Sequence, residues 1–346
     1  MPPKKWQKSS LAAAVRTLAT KTGRGLWGRM IWLFRFIPLL LGWIGAPSAQ
    51  GSPTVTFMCP HCHKPYRVAA TAAGKSLTCR VCQSRMVVPP RGVPAPKVGT
   101  LPSGGRVYRH RAPTRAPAMA EQGTPFYSQI SRHIEKTIGP APMVIHELFS
   151  PGIHLDLHIV PPTNLPPSPE HPFGTSHYTV VTSGVSSQPM NVPPGGRAPR
   201  FIELMIALPG DWPGFRLDGT YDWELMKDER SWWPLRWLGI VARMPVTLST
   251  FVGLGHTIPN GEQADPFAAN TRFGCLLVVP PLRSPQSVRL VVSDHVAISF
   301  LALMPLYPEE MRLKLRSGAA VLHKLLDKAV LTELIDIRRR NVAGGT

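Results

Sequence analysis

From about residue 128 onward, apolar side chains recur with two distinct periods. Alternating or short continuous apolar runs predict strands over 143–149, 153–160, 178–183, 201–208, 273–279, 287–292 and 296–304. Helical spacing predicts helices over 127–138 and 231–244, the second with Pro234 near its first turn. A long helix is expected from Pro308, with Glu309 and Glu310 in its first turn and the stripe Met311, Leu315, Ala319, Leu322, Leu326 along one side. A last short helix is expected over 331–337, closed by Arg338, Arg339 and Arg340, whose charge suits a helix C-terminus. Strands in this number need a common sheet, with helices covering one face of it. The pattern defines an α+β domain, with a mixed α/β sheet, over residues 126–346.

Upstream the pattern breaks up. Residues 1–52 form a basic arm whose first 25 residues are rich in Ser, Thr and Ala and bury too little apolar surface to order alone. The stretch 26–46 is apolar except for Arg29 and Arg35, and its longest uncharged run, 36–46, is too short to span a bilayer. Three readings of it stand open: a secretory signal with Ala46-Pro-Ser-Ala49 as its cleavage site, an interfacial helix with snorkelling arginines, or a dispensable extension. Residues 91–125 read as a flexible, basic, proline-rich linker with no packed element. Arg106, Arg109, Arg111 and Arg115 are its cations, and Tyr108 is its one aromatic side chain suited to stacking on a base.

Charge sharpens this division. Of 39 Lys and Arg, 19 lie in residues 1–120, which contain no Asp or Glu, so the net charge of +19 belongs to that region and the remainder is neutral. Such a region attracts polyanions, either nucleic acid or an anionic membrane. With 43% hydrophobic residues the chain is not disordered throughout, while 39 Pro and 29 Gly predict long irregular segments beside the core.

Four of the five cysteines lie in Cys59-Pro-His-Cys62 and Cys79-Arg-Val-Cys82, two pairs whose spacing falls in the range of structural zinc sites. Each pair makes a tight knuckle aiming two thiolates at one ion, with short strands at 54–57, 66–68 and 86–88. Residues 53–90 thus read as a small all-β zinc ribbon holding one structural Zn2+ through Cys59, Cys62, Cys79 and Cys82. Four thiolates leave no open coordination position, so the metal contributes folding rather than chemistry. The low, uneven cysteine content argues for a reducing compartment. The protein is expected to be cytoplasmic, with the arm as its route to a membrane surface.

Catalytic candidates in the domain are few. His154-Leu-Asp156-Leu-His158 places three ligand-type side chains on one strand face and admits a metal-dependent hydrolase, although a half-buried strand with a polar outer face has the same pattern. The glycine-rich segment 253–261 lacks the phosphate-binding signatures, no Gly-x-Ser-x-Gly elbow is present, and Cys275 sits in an apolar strand. No catalytic residue is assigned and no small-molecule substrate is expected.

Several segments in order resemble the suppressor-of-fused domain family in its bacterial form. They are His146-Glu-Leu-Phe149, the run from His154 to Pro162, the run from Thr179 to Ser186 with Pro189-Met190, Glu203 to Pro209, Gly255 to Gly261, Pro266-Phe267, and Pro305 to Met311. The resemblance covers about 126–343. It implies a mixed α/β fold without enzyme activity that binds proteins: animal relatives sequester a transcription factor by gripping an extended peptide, and bacterial relatives are thought to include immunity proteins for toxins. Carried over by residue, Tyr178, Thr182, Ser183, Gly184, Ser186 and Met190 are expected to face the partner, with His256 nearby. Ser187 stands where family members often carry an acidic residue. The leading expectation is a non-catalytic protein-binding domain that sequesters a toxin or regulator by strand or peptide capture. The alternative is a nucleic-acid-binding regulator acting through the arm and ribbon.

Overall fold

The structure is a computed structural model that describes residues 54–59, 64–73, 75–83, 85–88, 97–110, 117, 119–120, 123–147, 150–193, 196–218 and 220–344. The arm, including 26–46, lies outside the described residues. No helix among the described residues is long and apolar enough to cross a membrane.

An eight-stranded mixed sheet organises the domain. Its strands are β7 (Met143–His146), β8 (Asp156–Val160), β9 (His177–Ser183), β10 (Phe201–Pro209), β11 (Thr257–Pro259), β12 (Cys275–Val279), β13 (Arg289–Ser293) and β14 (Val296–Leu306). Their order is β11-β12-β14-β10-β9-β8-β7, with β13 also on β14. Every pairing is antiparallel except the central one, where Phe201 to Met205 of β10 run parallel to Ile298 to Ala302 of β14.

Period two decides the layering. Ile202, Leu204, Ile206 and Leu208 face one apolar cluster, while Met205 joins Val181 and Phe300 in a second on the other side. Helices cover both faces, not the single face expected, because β10 and β14 are apolar on both sides and each side needs a lid. Helix α3 (Glu229–Thr247), preceded by the short α2 (Trp223–Met226), buries Trp233, Trp237, Leu238 and Val241 in the first cluster. Helices α1 (Tyr127–Thr137), α4 (Pro308–Ser317) and α5 (Ala319–Lys328) supply Ile130, Ile134, Met311, Leu322 and Leu326 to the second.

Two expected helices differ. The long C-terminal helix is two, broken at Gly318, whose φ of +91° a helix cannot continue through. Residues 331–337 form no helix: Leu334 makes a parallel bridge to Ala207, and Ile335 N donates to Ala207 O at 2.8 Å. The second loses its helix and gains a contact with the body.

The N-terminal part of the described chain is a separate small core. Hairpins β1 (Thr54–Met58)–β2 (Pro65–Ala69) and β3 (Ser76–Thr78)–β4 (Arg85–Val87) enclose Phe57, Met86, Val88, Cys59 and Cys79. In the stretch expected to hold no packed element, β5 (Lys97–Thr100) and β6 (Arg106–Arg109) pair as a third hairpin. Proline density had hidden the period-two signal, because the prolines flank the strands and occupy the turn (Pro96, Pro102, Pro113) without interrupting either ladder. Residues 111–116 lie outside the described residues.

Candidate functional site

The ribbon brings three sulfurs together. Cys59 follows β1, where its N–H donates to Lys64 O at 2.8 Å; Cys79 and Cys82 bracket the turn between β3 and β4, where Gln83 N donates to Cys79 O at 2.9 Å. Among the described residues, these cysteines are the one group of three metal-ligating side chains whose ligand atoms all lie within 4.8 Å of one another. Cys59 Sγ and Cys82 Sγ are 3.7 Å apart. That is far longer than a disulfide, at about 2.05 Å. It matches the edge of a sulfur tetrahedron around zinc, about 3.8 Å for Zn–S of about 2.3 Å. Tyr66 Oη lies 3.1 Å from Cys79 Sγ, and the Val81 and Cys82 N–H groups donate to that sulfur at 3.4 and 3.5 Å, which favours a thiolate. The donor set fits zinc. Cys62 lies outside the described residues.

The strand and turn expected to face a partner point inward. Tyr178, Thr182, Ser183, Gly184, Ser186 and Met190 are all buried. Thr182, Gly184 and Ser186 converge on a residue the sequence pattern did not single out: Glu203, fully buried on β10. Its carboxylate accepts from Thr182 Oγ1 at 2.6 Å, from Gly184, Val185 and Ser186 N–H at 3.0, 3.3 and 3.0 Å, and from Ser186 Oγ at 2.6 Å. Leu204 N donates to Thr182 Oγ1, which leaves that hydroxyl's proton for Glu203. Burial pushes the carboxyl up to about 7 against the opposing pull of these donors. The Thr-Ser-Gly-x-Ser sequence is thus an internal nest for a carboxylate. Gly184 has φ of +124°, and a Cβ there would lie 2.0 Å from His154 O, so glycine is required. The available sequence signal was a lone acid in the apolar run Phe201 to Pro209, where both faces are covered.

His154, Asp156 and His158 are also buried. Asp156 Oδ1 accepts from His146 Nδ1 and from His154 Nε2, each at 3.0 Å. Ser150 Oγ is 2.8 Å from His154 Nδ1, and His158 turns instead to Ser183 Oγ, 2.9 Å from its Nε2. The imidazole nitrogens nearest the carboxylate carry protons toward it and offer no lone pair to a cation, and the third ligand of the expected triplet points elsewhere. The triplet is a polar lock between β7, β8 and β9. Burial drives His158 down to about 4, against the pull of Asp156, so it is neutral at pH 7. Cys275, buried in β12, has its thiol pushed up to about 12 by burial and is inert as a nucleophile.

His256 is half-buried before β11, its ring 4.9 Å from Phe251 in an edge-to-face arrangement and 6.5 Å from Tyr108 of β6. Burial, reinforced by Lys314, lowers its pKa. At the opposite end of the sheet, β7 is an edge strand; among the described residues β8 alone pairs with it, and the His146 side chain is 61% exposed.

The fold and these sites define a helix-covered mixed-sheet module with a buried carboxylate nest, attached to a cysteine-clustered ribbon. The family described as Suppressor of fused protein (SUFU) matches residues 152–340, and the chain belongs to that family. Similar solved structures include a suppressor-of-fused homologue from Neisseria gonorrhoeae, 16% identical, with a TM-score of 0.44, covering 64% of this chain and 98% of its own. A Sufu–Fu complex aligns at 14% identity and TM-score 0.43, covering 64% of this chain and 93% of the other. Drosophila Suppressor of Fused aligns at 16% and 0.43, covering 65% of this chain and 52% of its own. No curated protein matches the chain.

Proposed function

We propose that this chain is a non-catalytic protein-binding module that neutralises or sequesters a toxin or regulatory protein by capturing an extended segment. The observation that supports this reading is the SUFU match over more than half of the chain, since the family resemblance implies binding of protein partners rather than turnover. The inward-facing nest makes the Thr-Ser-Gly-x-Ser turn a scaffold, so the capture surface is assigned to the sheet's edge at β7. An edge strand offers unpaired backbone donors and acceptors to an incoming strand, and side chains such as His146 supply selectivity.

The test places a photo-crosslinking amino acid at His146 of the full chain and, as a control, at the exposed Lys324 of α5. A single protein crosslinked stoichiometrically from native lysate at position 146 and not at 324 is the expected result. Equal labelling at both, or labelling at 324 alone, would overturn the assignment.

The cysteine cluster supports a second element of the reading: one structural zinc ion held by Cys59, Cys79 and Cys82 and, by its spacing, Cys62. When bound, the metal supplies folding energy to a core too small to hold alone. Purified chain should contain one zinc per molecule, lost in Cys59→Ser/Cys82→Ser. A metal-free chain with unchanged amide protection over residues 54–88 would sink the assignment.

A further inference from the structure

The third hairpin covers a surface of the domain. Its four cross-strand pairs run from Lys97↔Arg109 to Thr100↔Arg106, and Leu101 N to Gly105 O at 2.8 Å closes the turn. Tyr108 meets Phe251 edge-to-face at 5.7 Å and lies over His256. At the hairpin tip Ser103 Oγ donates to Leu315 O at 2.9 Å, near the end of α4. The hairpin therefore lies over the segment that leads into β11; at the other end of the sheet, among the described residues, β8 alone pairs with β7.

Its attachment is weak in three respects. Among the described residues from Val98 to His110 none is buried, and none belongs to an apolar cluster of the fold. A two-stranded hairpin is marginal by itself in water, so this one is ordered by docking. It carries Lys97, Arg106 and Arg109 with no carboxylate, and it docks at the end of α4 that carries Lys314 and Arg316. Charge does not hold it there. Among the described residues, a packed aromatic and one hydrogen bond do.

We propose that β5–β6 is a displaceable strap that occupies in cis a docking surface formed by Phe251, His256 and the C-terminal turn of α4. The occupant defines what the surface accepts: a short strand or hairpin segment presenting one aromatic ring beside cations. A tethered segment has an effective concentration in the millimolar range, so even a low intrinsic affinity keeps the surface covered until a tighter segment competes. The inference goes beyond the proposed function and does not depend on capture at β7.

Hydrogen exchange on the full chain, with a synthetic peptide of residues 97–109 as probe, tests it. In the wild type, amides of β5 and β6 should exchange at least about 100-fold faster than those of β9 and β10, as a locally opening unit does. Tyr108→Ala should abolish the hairpin's protection and leave β9 and β10 unchanged. The peptide should bind Tyr108→Ala at least about tenfold more tightly than wild type, and lose that binding in Tyr108→Ala/Phe251→Ala. Equal binding to wild type and Tyr108→Ala, no binding to either, or hairpin exchange that occurs only with the core would each overturn the proposal.

Discussion

Glu203 shows how one side chain fixes a turn. Five donors converge on it, and removing the acceptor strands them in the core. Glu203→Ala should therefore cost on the order of 3–5 kcal/mol in chemical denaturation. Its pH signature has a definite sign. With a folded-state pKa of about 7 against an ordinary 4.5, the folded chain holds this proton more tightly than the unfolded chain. Its contribution to stability is then greatest below about pH 4.5 and falls as pH rises to 7. Relative to Glu203→Gln, the wild type should lose on the order of 3 kcal/mol over that window. His158 and His177, lowered by burial to about 4 and about 3, act oppositely. Each stabilises fully above about pH 6.5, and that stability is lost as pH falls toward the folded values. NMR titration should find both imidazoles neutral at pH 5. A charged His158 at that pH would contradict the burial that encloses it.

At the scale of elements, much of the sheet was legible because strands such as Phe201–Pro209 and Val296–Leu306 are apolar runs of strand length bounded by turn residues. Several features were not, among them these. The stripe Met311, Leu315, Ala319, Leu322, Leu326 keeps helical spacing across the break, so periodicity alone could not reveal Gly318. The β5–β6 hairpin was obscured by neighbouring prolines. The inward direction of the Thr-Ser-Gly-x-Ser turn depended on Glu203, which lies about twenty residues further on in the neighbouring strand and whose pairing with the turn no local pattern encodes. The cysteine site was legible from spacing, since two short turns suffice to form it. Glycine chemistry gives a sharp check: Gly184→Ala must move His154 O or abandon its φ, and should destabilise by about 3 kcal/mol or more. Gly318→Ala meets no atom closer than 4.0 Å and pays only for its backbone angle. With ψ at 162° that angle pair is one essentially only glycine adopts, so the substitution should lower stability by about 1–3 kcal/mol, measured in the same denaturation series.

Over the whole molecule, the excess of cations is confined to residues 1–120. If that region meets nucleic acid, affinity of the full chain for random duplex should fall steeply with salt through counterion release, and a flat salt profile would exclude such contact. The parallel pair at the centre of the sheet has a further consequence, during synthesis on the ribosome. Phe201 pairs with Ile298, so β10 leaves the exit tunnel long before its partner is translated. The meander β7 to β10 can assemble early, but its inner edge stays unpaired until β14 emerges, and closing so long a loop is slow. The nascent chain thus presents an apolar, half-finished sheet for much of its translation, which makes it a client for chaperones that shield strand edges. Stop codons placed before β14 should yield aggregating fragments, whereas chains that extend through Val342, and so include Ile335 and the Arg339–Glu310 ion pair, should emerge folded.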